Sequence, residues 1–194
     1  MTCKKFKLIG LTGSTGLLGQ SLKKKLRKLN NYKLNCYKGD ITNKSQLKKW
    51  FKVNSFCYVI HLAAIVPVKK VNKNINFAKK VNIGGTKNII NEINKKKSIK
   101  WFFFSSSSHV YQFNNKKVRE TSIKKPFSIY GKTKLEAEKF IEKKINKKIK
   151  FCIGRIFSLE GKNKAKSYFL PGLLKKIRKN KVIEIDLNQF RDFI

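Results

Sequence analysis

The apolar positions of this 194-residue chain fall into short β-type runs that alternate with helical patterns, as in parallel strands joined by crossover helices. Phe6–Leu11 reads as a first buried strand. Leu17–Leu29 follows as a helix, because Leu18, Leu22, Leu26 and Leu29 share one face and lysines occupy the other. Lys33–Tyr37 is a short second strand, Ser45–Phe51 a helix and Cys57–Leu62 a third strand. Phe77–Asn94 is the longest helical pattern, with Val81, Ile89 and Ile93 directed inward. Trp101–Phe104 is apolar on both sides, as a central strand requires, and runs into four serines. Ile129–Ile145 reads as a helix, Ile149–Ile156 as a fifth strand, Tyr168–Arg178 as a further helix and Val182–Ile185 as a last short strand. The pattern predicts an α/β protein built on a doubly wound parallel sheet.

Hydrophobic residues make up 41% and aromatic ones 12% of the chain, enough for a packed core and too much for wholesale disorder. No apolar run approaches the ~18 residues of a membrane-spanning helix, so no membrane is expected as a partner. The first 19 residues place basic ahead of apolar ones, but Lys7, the interspersed glycines and the lack of an A-x-A site argue against a leader. Cys3, Cys36, Cys57 and Cys152 lie 33, 21 and 95 residues apart, which matches neither a metal knuckle nor a redox pair. No metal is expected, and the cysteines read as reduced thiols of a cytoplasmic protein.

The formal net charge is +37, far above the roughly 2–8 usual for a small domain. Its makeup changes the reading: 42 of the 47 cations are Lys, and Lys, Asn, Ile, Phe, Tyr and Met account for 103 residues. All six have AT-rich codons, so the excess reads as a solvated surface rather than a nucleic-acid site.

Between the first strand and the first helix stands Thr12-Gly13-Ser14-Thr15-Gly16-Leu17-Leu18-Gly19. In such a turn Gly13 allows the tight reversal, Gly16 lets backbone N–H groups approach a pyrophosphate, and Gly19 permits close packing of helix on sheet. The helix start then faces the anion with its unpaired donors. These positions predict a Rossmann-type dinucleotide site. An acidic residue about 20 positions on would bind the ribose of NAD, yet Tyr37-Lys38 holds no carboxylate. Lys38 would instead neutralise a 2′-phosphate, which favours NADP over NAD.

Tyr130 and Lys134 lie four residues apart and project from one helix face. A phenol beside a fixed ammonium has its anion stabilised and serves as a general acid or base. With lysine this abundant, about 1.3 such pairs would arise by chance; the setting gives this one weight. It follows Ser105-Ser106-Ser107-Ser108-His109-Val110-Tyr111, and ligands sit at the carboxyl end of a central parallel strand.

Seven segments occur in the order seen in extended short-chain dehydrogenases/reductases: Thr12–Gly19, Gly39-Asp40-Ile41, His61-Leu62-Ala63-Ala64, Val81–Thr86, the serine run ending in Val110-Tyr111, Tyr130–Lys134 and Arg191-Asp192-Phe193-Ile194. The chain resembles the nucleotide-sugar epimerase/dehydratase members of that family over essentially its whole length. The resemblance implies that Asp40 and Ile41 hold the adenine and that Leu62, Ala63 and Ala64 line the coenzyme. It makes Ser107 the catalytic serine, Tyr130 the acid/base and Lys134 the group that binds the nicotinamide ribose. Asn82 would stabilise the helix behind the site, and Arg191 would meet the substrate diphosphate.

Three departures refine this. Where the family's dehydratases carry a carboxylate after the catalytic serine, this chain has Ser108 and His109, so epimerisation or keto-reduction at the sugar's fourth carbon is favoured over dehydration. His109 reads as a satisfied polar neighbour rather than a substitute acid. Ser158 stands where the family often has the Asn that touches the substrate diphosphate. The family also continues well beyond the position of Ile194, so the expected organisation is a dinucleotide-binding domain over 1–157 and only the beginning of a substrate lobe over 158–194. The implied substrate is a nucleotide-diphosphate sugar. A homodimer through the helices at Phe77–Asn94 and Ile129–Ile145 follows by analogy, and a non-catalytic NAD(P)-binding module is the rival reading.

Overall fold

The computed structural model describes residues 6–66, 68–113, 117–158 and 177–179. The chain divides into two compact units, Met1–Arg155 and Ile156–Ile194. Strands β1 (Lys7–Thr12), β2 (Tyr32–Cys36), β3 (Tyr58–His61), β4 (Trp101–Ser107) and β5 (Lys150–Ile156) form one sheet in the order β2-β1-β3-β4-β5. The pairings of β1 with β2, β1 with β3 and β3 with β4 are parallel. This is the Rossmann-like α/β arrangement that the alternating pattern predicts.

Helices α1 (Leu17–Leu26), α2 (Lys44–Lys52), α3 (Val68–Lys73), α4 (Ile75–Lys79), α5 (Thr86–Asn94) and α6 (Ile129–Lys144) connect the strands. Asn43, Asn74 and Ser128 start α2, α4 and α6 by accepting a backbone N–H three residues on. One sheet face, Val59, Phe102 and Phe104, packs with Leu47, Trp50 and Phe51 of α2, Ile89, Ile90 and Ile93 of α5, and Ala137 and Ile141 of α6. Trp50 anchors this core with ring centroids 5.0 Å from Tyr37 and Phe51 and 4.5 Å from Phe56. Its indole N–H donates to Asn35 Oδ1 at 2.8 Å, the partner a buried indole requires. On the other face Leu22 and Leu26 of α1 cover Ile9, Leu11 and Ile60, while Tyr58, Trp101 and Phe103 stay half-buried.

Three expectations need correction. The helix expected over Phe77–Asn94 starts at Ile75 and is interrupted by a π-helical turn at Lys80–Gly85 before α5. A π turn inserts an extra residue, so a 3.6-residue period read straight through 80–85 misses it. The first helix ends at Leu26, and Leu29 is 48% exposed; the chain must turn there, with Tyr32 N bonded to Leu29 O, to enter β2. The fourth strand runs on through Ser107, because sheet pairing outweighs the weak strand preference of serine. The expected helix Tyr168–Arg178, apart from 177 and 178, and the strand Val182–Ile185 lie outside the described residues. Among the described residues no helix is long and apolar enough to cross a membrane.

Phe102 is 0% exposed at the centre of the core and Phe113 is 73% exposed. Phe102→Ala is expected to cost about 3–5 kcal/mol in urea unfolding, and Phe113→Ala to stay within about 0.5 kcal/mol of the parent.

Candidate active site

The strand order reverses between β1 and β3, so their carboxyl ends open the crevice in which doubly wound sheets bind ligands. Gly13 turns the chain there with φ +72°, and a Cβ on it would stand 2.5 Å from Ala63 N. A Cβ on Gly19 would stand 2.2 Å from Gly13 O, so its smallness serves the turn itself rather than the packing of helix on sheet. Gly16 differs from both: its φ of −70° and ψ of 167° suit any residue, and a Cβ there would meet only Gly13 O, at 3.6 Å. The fold itself does not need a glycine at Gly16, and its absent side chain leaves the backbone there open to close approach. Helix α1 begins at this point with no side-chain cap and no acidic residue in its first turn, which leaves its first N–H groups for an anion. Ser14 is buried beside it, Leu17 and Leu18 are half-buried, and exposed Thr15 accepts Gln20 Nε2 at 2.7 Å through its carbonyl. The residues present fit a dinucleotide pyrophosphate.

Beyond β2, Lys38 and Asp40 are exposed and Ile41 is buried. Asp40 braces its own loop, with Oδ1 accepting Thr42 N at 2.8 Å and Oδ2 accepting Thr42 Oγ1 at 2.9 Å. Beyond β3, Leu62, Ala63 and Ala64 are half-buried along the crevice wall next to Gly13.

A buried hydrogen-bonded chain ties this crevice to the helices behind it. Thr86 Oγ1 donates to Asn82 O at 2.7 Å and so accepts from His61 Nε2 at 3.0 Å. That leaves His61 Nδ1 to accept the Thr12 hydroxyl at 2.7 Å, fixing the neutral Nε2–H tautomer. Burial, with help from the Lys134 charge, holds the His61 pKa down at about 3. Asn82, in the π-helical turn, accepts Ile65 N at 2.7 Å and donates to Thr133 Oγ1 at 3.2 Å. The Thr133 hydroxyl in turn donates to Tyr130 O at 2.7 Å.

Tyr130, Lys134 and Glu138 follow one another at four-residue spacing along one face of α6. Lys134 is 3% exposed; its ammonium donates to Ser105 O at 2.7 Å and lies 4.7 Å from the Phe104 ring centroid and 6.0 Å from that of Tyr130. Burial brings its pKa down to about 7, against the pull of the Glu138 carboxylate. Tyr130 is half-buried, with the His109 ring edge-on at 5.6 Å. Ser107 is buried at the end of β4 and accepts His109 N at 3.3 Å. Ser108 and His109 enter a single 3₁₀ turn, where His109 Nδ1 meets Ser128 Oγ at 3.2 Å. Of the residues expected to meet substrate, Ser158 is exposed and belongs to the second unit, and Arg191 lies outside the described residues.

The profile of the NAD dependent epimerase/dehydratase family matches residues 9–194. The chain belongs to that family. A UDP-glucuronate 4-epimerase from Arabidopsis thaliana is 33% identical over 137 residues, covering 68% of this chain and 31% of that protein. The chain thus spans about a third of that relative's length. The crystal structure of a dTDP-4-dehydrorhamnose reductase from Bacillus anthracis in complex with NADP matches with a TM-score of 0.75 at 26% identity, over 90% of this chain and 60% of that one. A UDP-glucuronic acid 4-epimerase from Bacillus cereus, in complex with UDP-glucuronic acid and NAD, shares the fold with a TM-score of 0.81 at 24% identity, over 90% of this chain and 64% of that one. The first of these two structures holds NADP and the second NAD.

Two networks escaped the sequence reading. One is the Thr12–His61–Thr86 chain; the other joins Ser106, Glu138, Arg155 and Tyr111. Glu138 carried a signal, since it continues the four-residue ladder from Tyr130 in a chain with only 10 acidic residues. His61 takes up its proton at about 3 in the fold and at 6.5 when exposed, so between these values the unfolded chain binds more protons and stability rises with pH. The urea midpoint is expected to fall as pH drops from 6.5 towards 3, and His61→Gln to flatten that slope.

Proposed function

We propose that this chain forms the coenzyme-binding part of an NAD(P)-dependent nucleotide-sugar epimerase or keto-reductase acting at the sugar's fourth carbon. The observation that carries this reading is the buried Lys134 ammonium one helical turn from Tyr130 and beside the end of β4, where Ser107 stands. The 13–19 turn would cradle the pyrophosphate, Asp40 and Ile41 the adenine end, and Leu62, Ala63 and Ala64 the coenzyme's middle. Lys38 supports NADP, being a cation where NAD would call for a carboxylate. When bound, the coenzyme supplies hydride acceptance and donation at the sugar carbon.

The chain's own residues manage the proton. In the reductive direction Tyr130 gives its phenolic proton to the carbonyl oxygen as that oxygen becomes a hydroxyl, while the Ser107 hydroxyl donates a hydrogen bond to the same atom. The Lys134 ammonium stabilises the phenolate left behind. Asn82 and Thr133 fix the first turn of α6, so the phenol is held in place before substrate arrives. An epimerase runs the sequence both ways on opposite faces of the keto sugar.

Dehydration fits less well. It needs a carboxylate to carry the proton to the leaving hydroxyl, and Ser108 and His109 occupy that place. Glu138 cannot stand in, because Ser106 and Arg155 hold its carboxylate inside the core.

Tyr130→Phe is expected to lower turnover of a 4-keto sugar nucleotide by about 10²–10⁴-fold with NADPH binding unchanged, read by single-turnover NADPH oxidation and fluorescence titration. Full activity in the variant would refute the role of Tyr130. Coenzyme binding with no turnover in the parent would favour the non-catalytic binding module. Gly16→Val is expected to abolish coenzyme binding while costing only about 1 kcal/mol in urea unfolding, the loss of glycine at the start of α1, since a Cβ there meets no collision.

A further inference from the structure

The Glu138 carboxylate is 0% exposed. It accepts the Ser106 hydroxyl and lies in a fork from Arg155, with Nε at 3.1 and 3.2 Å from its two oxygens and Nη2 at 2.9 Å from Oε2. Arg155 Nη1 donates in turn to Tyr111 OH at 2.9 Å and to Glu120 O at 3.1 Å. A buried ion pair is seldom favoured over apolar packing of the same volume, so a constellation this complete calls for a purpose beyond stability. Its position suggests one. Adjacent residues of β4 serve the two charges of the α6 ladder: Ser105 accepts from Lys134 through its carbonyl, and Ser106 donates to Glu138. The next residue is Ser107.

We infer that Glu138 is a positioning residue whose buried carboxylate is the counter-charge for the Lys134 ammonium, held in register by Ser106 and Arg155. The inference rests on the proposed role of Lys134. Burial alone discharges a lysine, and a neutral amine would not stabilise the Tyr130 phenolate. An acceptor carbonyl at Ser105 and the faces of Phe104 and Tyr130 favour the cation without balancing its charge. Glu138 supplies that balance from one turn along the same helix. The titratable and charged groups packed around the pair are His61 of β3, Tyr130 of α6, Tyr111 after β4 and Arg155 of β5. Arg155 fixes the carboxylate from the β5 side, and its positive charge offsets part of the field that Glu138 exerts on Lys134.

The test reads the lysine directly, without turnover. In protein labelled with [¹³Cε]lysine, one resonance among the 42 lysines is expected to titrate near 7 and to vanish in Lys134→Met. In Glu138→Gln that resonance is expected to titrate about 1–3 pH units lower, with coenzyme binding retained and Glu138→Asp restoring most of the difference. Should Glu138→Gln fail to fold, Glu138→Met combined with Arg155→Met removes the counter-charge together with its partner, a replacement that buried pairs commonly tolerate. A smaller downward movement is expected there, because the Arg155 charge leaves together with the carboxylate. An unmoved Lys134 titration in either folded variant overturns the assignment. So does failure of both variants to fold, which would mark the pair as a folding requirement only. The outcome is separate from the Tyr130→Phe experiment, because Lys134 titrates whether or not the protein turns over a sugar nucleotide.

Discussion

A charged amine in the interior of a parallel sheet is the constraint around which this site is arranged. Lys134 is buried between β4 and α6, where water cannot solvate it, and burial of an unpaired ammonium is costly. The Ser105 carbonyl and the Phe104 ring offset part of that cost locally. The serine-rich end of β4 serves this purpose: a strand otherwise apolar on both faces gives way to polar residues at the point where α6 lays its charged ladder against it. Strand and helix are therefore matched at one position, and moving either would strand a charge or an acceptor.

The second feature is the glycine turn after β1, which opens onto the uncapped start of α1. Gly13 and Gly19 are demanded by the protein's own atoms, since a Cβ at either would collide with backbone. Gly16 has no such collision. The difference separates glycines that build the turn from the one that keeps space clear. The uncapped start of α1 at the same point is the electrostatic counterpart of that space. Opening and ladder lie at the carboxyl ends of β1 and β4, with β3 between them, linked from β1 through His61 and Thr86 to Asn82, and from Asn82 through Thr133 to Tyr130. The neutral tautomer of His61 is needed for that linkage, because a protonated ring would lose its acceptor for Thr12.

Surface charge has little part in this arrangement. Apart from half-buried Lys23, the lysines of α1 and α2 are exposed, and the ion pair Lys87–Glu136 is exposed on both sides, where such contacts contribute little. The acidic residue that matters is Glu138, which is wholly enclosed. The enclosed polar groups therefore gather around α6, away from the high positive charge outside.

Periodicity and spacing determined the strands, most helices, the glycine turn at 12–19 and the Tyr130–Lys134 pair, because each is written in residues close together in the chain. Alternation marks a buried strand, and a four-residue interval marks one helix face. The π-helical turn at Lys80–Gly85 was not legible, since its extra residue breaks the period by which helices are recognised. The partners of His61 and Glu138 were not legible either: Thr12 lies 49 residues from His61, and Ser106 lies 32 from Glu138. Only the tertiary structure decides which polar groups meet inside the core, because a buried donor or acceptor takes whichever partner the packed sheet brings to it, and local sequence does not encode that partner.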